Sequence, residues 1–215
     1  MSQTIFVGRC ECDAHLKFPF NWANFIIEEA EKLELDIIKL EKENYTEEKT
    51  KRHIRKFNPF FIFLNGHGKV WCSMGYNKES IIIANKNDFL LKNKIVYILS
   101  CYTAQYLGQV AYEKGCKAYI GHKDIFSFTY MDENDPINDK IAKIFMDASN
   151  QIPLTILNGG TPEEAYKNSQ KMFDKWIDFW WKRWRGLEKT KLPPKVIGDI
   201  LSALVTDEEG QRLLI

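Results

Sequence analysis

The chain has 215 residues, 45% of them apolar and 27% charged, with 30 basic against 29 acidic side chains and a formal net charge of +1. That length fits one domain built on a sheet covered on both faces, and the composition excludes wholesale disorder. The charge balance excludes a nucleic-acid footprint across the whole domain, which needs a clear basic excess, and no stretch reaches the roughly 18 to 20 apolar residues of a membrane span. In chain order, Ile5-Phe6-Val7 reads as a short strand followed by a loop carrying Cys10, Cys12, Asp13 and His15. Asn24 to Leu35 has helical spacing, and Asp36 to Leu40 reads as a second strand. Thr46 before Glu47 and Glu48 is an N-cap opening a charged helix that ends near Phe57, where Asn58-Pro59 breaks it.

Phe60 to Leu64, running into Asn65-Gly66-His67-Gly68, is the third strand, and Ile95 to Leu99, running into Ser100-Cys101, is another. Between them, Val70 to Met74 and Ile81 to Ile83 suggest an inserted hairpin, and Asp88 to Leu91 a short helix. Tyr102 to Lys114 reads as a helix stopped by Gly115, and Lys117 to Gly121 as a strand. Ser127 to Asn138 is a polar loop able to border a site. Helices follow over Asp139 to Ser149, from Thr161-Pro162-Glu163-Glu164 onward, and over Ile197 to Val205. The β-α-β-α-β order implies an α/β domain with a mostly parallel sheet flanked by helices on both faces, an inserted hairpin and a helical C-terminal region. One domain over 1–215 is expected, with a catalytic core over about 1–150 and the region of about 160–215 packed on it.

The carboxyl ends of neighbouring parallel strands open on one crevice, where ligands bind. Two strands here end on His67 and on Cys101. An imidazole with an unperturbed pKa of about 6.5 moves protons at neutral pH. A thiol at a strand-to-helix junction meets unpaired backbone N–H groups, which lower its pKa. Gly68 leaves its N–H open to a carbonyl oxygen and, with the N–H of Cys101, forms a candidate oxyanion hole. Taken singly, a cysteine at a strand end is more often a small buried hydrophobe, and a His-Gly a turn. The pairing at matching strand ends favours a cysteine hydrolase.

At these residues the chain resembles the caspase-like (clan CD) cysteine peptidases, and within them the CHAT family. The resemblance covers about residues 60–175. It rests on Asn65-Gly66-His67-Gly68, on Ser100-Cys101-Tyr102-Thr103-Ala104, on the Gly115 to Gly121 strand, and on Asn158 to Tyr166 with Ser169-Gln170. It implies a caspase-hemoglobinase fold, His67 as general base, Cys101 as nucleophile, and a Gly68 N–H contribution to the oxyanion hole. The Gln-Ala-Cys signature of caspases is absent, and Leu99 stands where several arginine-specific relatives carry an acid, so a basic P1 preference is in doubt. Asp124, or the acids at 132, 133 and 135, could supply that charge. Asn65, Ser100, His122 and Asp124 are the substrate-binding candidates, and a third catalytic group is not identifiable.

The expected function is a cysteine endopeptidase working through an acyl-enzyme on a protein or peptide substrate, in a regulated defence or cell-death setting. The rival is a catalytically idle domain of the same fold that binds a partner. A flavodoxin-like nucleotide binder is weakened because Gly8-Arg9-Cys10-Glu11-Cys12 is no phosphate loop. No cofactor and no metal are expected, since Cys10-Glu11-Cys12 is too tight for the usual zinc pair. Phe173, Trp176, Ile177, Trp180 and Trp184 recur at helical spacing; packing on the sheet is the default, and the Trp176/Trp180/Trp184 helix is the alternative docking site for a regulatory protein. No nucleic acid and no membrane are expected as partners. Five cysteines show no disulfide framework and Met1-Ser2-Gln3-Thr4 no basic leader, which suggests a reducing cytoplasm.

Overall fold

The computed structural model describes residues 3–215; Met1 and Ser2, part of the stretch read as lacking a leader, lie outside the described residues. Six strands form the main sheet: β1 (Thr4–Arg9), β2 (Asp36–Glu41), β3 (Phe61–Asn65), then, beyond the hairpin strands β4 (Gly68–Lys69), β5 (Cys72–Met74) and β6 (Ser80–Ile83), β7 (Ile95–Leu99), β8 (Ala118–His122) and β9 (Gln211–Leu214). The order is β2-β1-β3-β7-β8-β9, parallel except for β9, which runs antiparallel to β8. Strand β3 is buried along its whole length, as a central parallel strand covered on both faces must be.

Alternation along the strands divides the core in two. Phe6, Ile62, Leu64, Val96, Ile98 and Tyr119 face α3 (Glu47–Phe57), α4 (Leu107–Glu113) and the hairpin. Ile5, Val7, Phe61, Phe63, Tyr97 and Ile120 face α2 (Asn24–Lys32) and α5 (Ala142–Leu157). A third apolar cluster joins α1 (Lys17–Trp22) and α5 to α6 (Pro162–Trp184) and α7 (Pro194–Gly210).

The N-caps read from sequence hold. The Thr46 hydroxyl accepts from the Lys49 N–H, and Thr161 and Glu164 form a capping box with Pro162 at the first turn. Helix α1 lies in a stretch to which the sequence reading assigned no element, and three further elements differ from expectation. Tyr102 to Tyr106 is not helical, because Tyr102 adopts left-handed backbone (φ 63°) and its N–H donates to the Asp124 carbonyl, so α4 starts only at Leu107. Helix α5 does not stop at Ser149 but runs through Pro153 to Leu157, held by the burial of Ile152 and Ile156 against the sheet. The C-terminal region is not wholly helical, since β9 closes the sheet beside β8.

Helix α6 packs mainly between α5 and α7, and its first turns also meet the sheet at β8 and β9. That placement corrects the docking alternative: Trp180 is buried, Trp176 is partly buried in the same cluster, and of the three only Trp184 is exposed, stacked on Trp181 at 5.3 Å. No helix among the described residues is long and apolar enough to cross a membrane.

Candidate active site

Arg9, Asn65 and Leu99 lie level across three adjacent strands, so the chain leaves β1, β3 and β7 at the same height. The sheet order also reverses between β1 and β3, the kind of point where an open α/β sheet forms its ligand crevice. Three exits therefore meet there: the loop to Asp13, the Gly66-His67 turn and the Ser100-Cys101 turn.

Each exit is fixed from below. The Arg9 guanidinium, 6% exposed, donates to Glu41 at 2.6 Å, to the Phe20 carbonyl at 2.7 Å and to Asn24 at 2.7 Å. It thereby ties α1 to the end of β1. Asn65 donates to the Pro19 carbonyl at 3.0 Å and is 1% exposed. Ser100 Oγ donates to the Gly66 carbonyl at 2.8 Å and links the β7 exit to the β3 exit. A Cβ on Gly66 would lie 2.2 Å from the Met74 carbonyl oxygen, and one on Gly68 2.4 Å from the Cys101 carbonyl oxygen, so glycine at both lets backbone pass against backbone.

The group missing from the sequence reading is Asp13. Its Oδ2 stands 2.6 Å from His67 Nε2, and its Oδ1 accepts from the Leu16 N–H at 3.1 Å in the turn that leads into α1. Burial works against ionisation of this carboxyl, but the Leu16 N–H and the His67 ring outweigh it and hold its pKa below the usual value. A carboxylate accepting from Nε2–H fixes that proton and leaves Nδ1 as the basic nitrogen.

Cys101 Sγ makes a long contact, 3.9 Å, to the Phe126 carbonyl. Burial pushes this thiol pKa up; backbone contacts at Phe126 and at its own residue offset part of the rise, and the Asp207 carboxyl adds to it. The expected lowering is therefore reversed. The turn at Tyr102 separates Cys101 from the start of α4, so no helix terminus reaches the sulfur. Although the five cysteines show no disulfide framework in the sequence, Cys10 and Cys12 are joined as a disulfide in the loop before Asp13, while Cys72, Cys101 and Cys116 are free.

His67 and Cys101 line one cavity of about 280 Å³, together with Gly66 and Ser100. Its walls come from α1 and the loop before it (His15, Leu16, Pro19), from Leu99, and from Ile125 to Phe128. Ser127 and Phe128 belong to the loop read as bordering the site, but its acids at 132, 133 and 135 do not line the cavity. Of the substrate-binding candidates, only Ser100 does. Asn65 serves the scaffold. Asp124 lies outside, half exposed and 3.6 Å from Lys123. His122 is wholly buried beneath Phe126, ring centroids 5.0 Å apart, with neither ring nitrogen hydrogen-bonded, and burial lowers its pKa to about 3. Among the described residues, no three His, Cys, Asp or Glu side chains gather as metal ligands.

No family model matches the sequence, and no curated protein does. Solved structures do match. A complex of the pro- and mature domains of RgpB from Porphyromonas gingivalis superposes with a TM-score of 0.53 at 15% identity, over 81% of this chain and 43% of that one. The Arg-specific cysteine proteinase gingipain R (RgpB) does so with a TM-score of 0.51 at 15% identity, over 80% and 42%. The chain spans less than half the length of these structures, and what they share with it is the fold: a caspase-like α/β architecture, a mostly parallel sheet flanked by helices.

Proposed function

We propose that this protein is a cysteine endopeptidase with Cys101 as nucleophile, His67 as general base and Asp13 as the residue that orients His67. The observation that carries the reading is the 2.6 Å Asp13–His67 contact at the rim of the cavity that His67 shares with Cys101. Because burial keeps Cys101 a neutral thiol at rest, His67 Nδ1 takes the S–H proton as sulfur attacks the peptide carbonyl. The carbonyl electrons pass to an oxyanion held by the N–H groups of Gly68 and Cys101. Collapse breaks the C–N bond, and the imidazolium returns the proton to the leaving amine. Water, deprotonated by the same ring, then hydrolyses the thioester and restores the thiol. Asn65 and Ser100 set the height of the two exits. His122 and Asp124 act on the cavity wall rather than on substrate, by packing under Phe126 and by receiving the Tyr102 N–H.

The same reading treats residues 1–215 as one peptidase domain and places it among CHAT-like peptidases in a regulated setting of defence or cell death, on the four sequence motifs in order. Control is assigned to a protein partner, as RgpB is seen with its pro-domain. The surface for it narrows to Trp184 and its neighbour Trp181. Cleavage of an unfolded protein substrate tests the assignment: wild type cuts, and Cys101→Ala loses cleavage while keeping its thermal melt. Proteolysis retained by Cys101→Ala removes Cys101 as nucleophile.

A further inference from the structure

The cavity beside Cys101 presents mainly apolar surface, although His15, His67, Ser100 and Ser127 also line it. Leu16, Pro19, Leu99, Ile125, Phe126 and Phe128 make its walls, and neither a carboxylate nor a lysine or arginine lines it. Among the described residues, its titratable lining groups are His15, His67 and Cys101. His15 is turned to the aromatic wall, with its ring 6.1 Å from Phe128 and 5.8 Å from Tyr130. A volume of about 280 Å³ falls just below the ~300 Å³ at which small-molecule sites begin, which suits one side chain.

No nearby carboxylate is among the lining residues. Asp13 is engaged at both oxygens, by Leu16 and by His67. Asp124 is outside the cavity, against Lys123. Asp207 of α7 is wholly buried and does not line the cavity; its Oδ1 accepts from the Ser127 N–H at 2.8 Å, its Oδ2 has no hydrogen-bond partner, and burial disfavours its ionisation. A lysine or arginine entering here would lose its hydration with no carboxylate among the lining groups to pair with, and an aspartate would lose its own with no lining cation. A leucine, methionine or phenylalanine would exchange water for apolar contact.

Resting on the peptidase reading, we infer that this cavity is the P1 pocket and that it selects a large apolar side chain, leucine, methionine or phenylalanine, at the carbonyl attacked by Cys101. Leu99 is its floor at the end of β7, and Ile125, Phe126 and Phe128 are its wall. Ser127 holds that wall through its N–H on Asp207.

A panel of fluorogenic peptides differing only at P1 tests the inference on the intact chain. Leucine, methionine and phenylalanine peptides should be cleaved on the order of 100-fold faster than lysine, arginine or aspartate peptides, the discrimination expected when a charge must be buried unpaired. Ile125→Asp puts a carboxylate on the wall at a position already 48% exposed, where folding tolerates it. That variant should move the preference toward lysine and arginine. Wild-type cleavage that favours a basic P1 overturns the inference and leaves the peptidase reading standing. Cleavage of no peptide, whatever its P1, overturns the peptidase reading and the inference with it.

Discussion

Asp13→Asn is expected to lower kcat/KM by about three orders of magnitude, the scale at which an imidazole held in the wrong tautomer loses general-base catalysis. The carboxylate is acceptor-only and so places the ring proton on Nε2. An asparagine can turn its NH2 toward Nε2, which puts the ring proton on Nδ1, where the thiol proton must go. The amide oxygen of the substituted side chain can still receive the Leu16 N–H, so the turn into α1 is kept and the variant should melt near the wild type. The deficit should shrink as pH rises, because hydroxide then ionises Cys101 without help from His67. Rates measured from about pH 6 to 10 check this. An unchanged rate at neutral pH would remove Asp13 from the mechanism.

Acid should destabilise the fold through His122. Its folded pKa of about 3 lies below the 6.5 of the free side chain, so the unfolded chain binds the extra proton between those values. The sign follows: the His122 contribution to stability is complete above about pH 6.5 and is lost as pH falls toward 3. By then the loss is on the order of 5 kcal/mol, comparable with the whole stability of a small domain. Asp207 works in the opposite sense, since burial raises its carboxyl pKa and favours the folded state as pH falls. His122→Leu isolates the histidine, and because neither ring nitrogen is bonded, no hydrogen bond is lost with it. Urea midpoints from about pH 7 to 4 should fall more steeply for wild type than for His122→Leu; parallel curves would show that His122 is not the source.

The main sheet is largely legible in the sequence because a central parallel strand must be apolar on both faces, as Phe61 to Leu64 and Val96 to Leu99 are. Caps at Thr46 and Thr161 are legible for a local reason: their chemistry lies within one helical turn. Strand β9 is not, because Gln211-Arg212-Leu213-Leu214 gains its pairing only from β8, about ninety positions earlier. The start of α4 is hidden too, because the left-handed turn at Tyr102 depends on an N–H bond to a distant carbonyl.

At the site, His67 and Cys101 are legible as strand exits. Asp13 is recoverable by one further step: β1 and β3 are adjacent parallel strands, so the loop after β1 must pass beside the turn after β3. An acid three residues before Leu16, at the head of a helix, is the local signal. The raised Cys101 pKa is not legible, since it comes from burial in the folded chain, with the charge of Asp207 adding to it.

Intact-mass and peptide-level mapping after an acyloxymethyl-ketone probe with leucine at P1 tests the central claim most directly, on wild type beside Cys101→Ala and His67→Ala. The account predicts one adduct, on Cys101, absent from Cys101→Ala and strongly slowed in His67→Ala. An adduct on Cys72 or Cys116, or a Cys101 adduct that forms equally fast without His67, would contradict it.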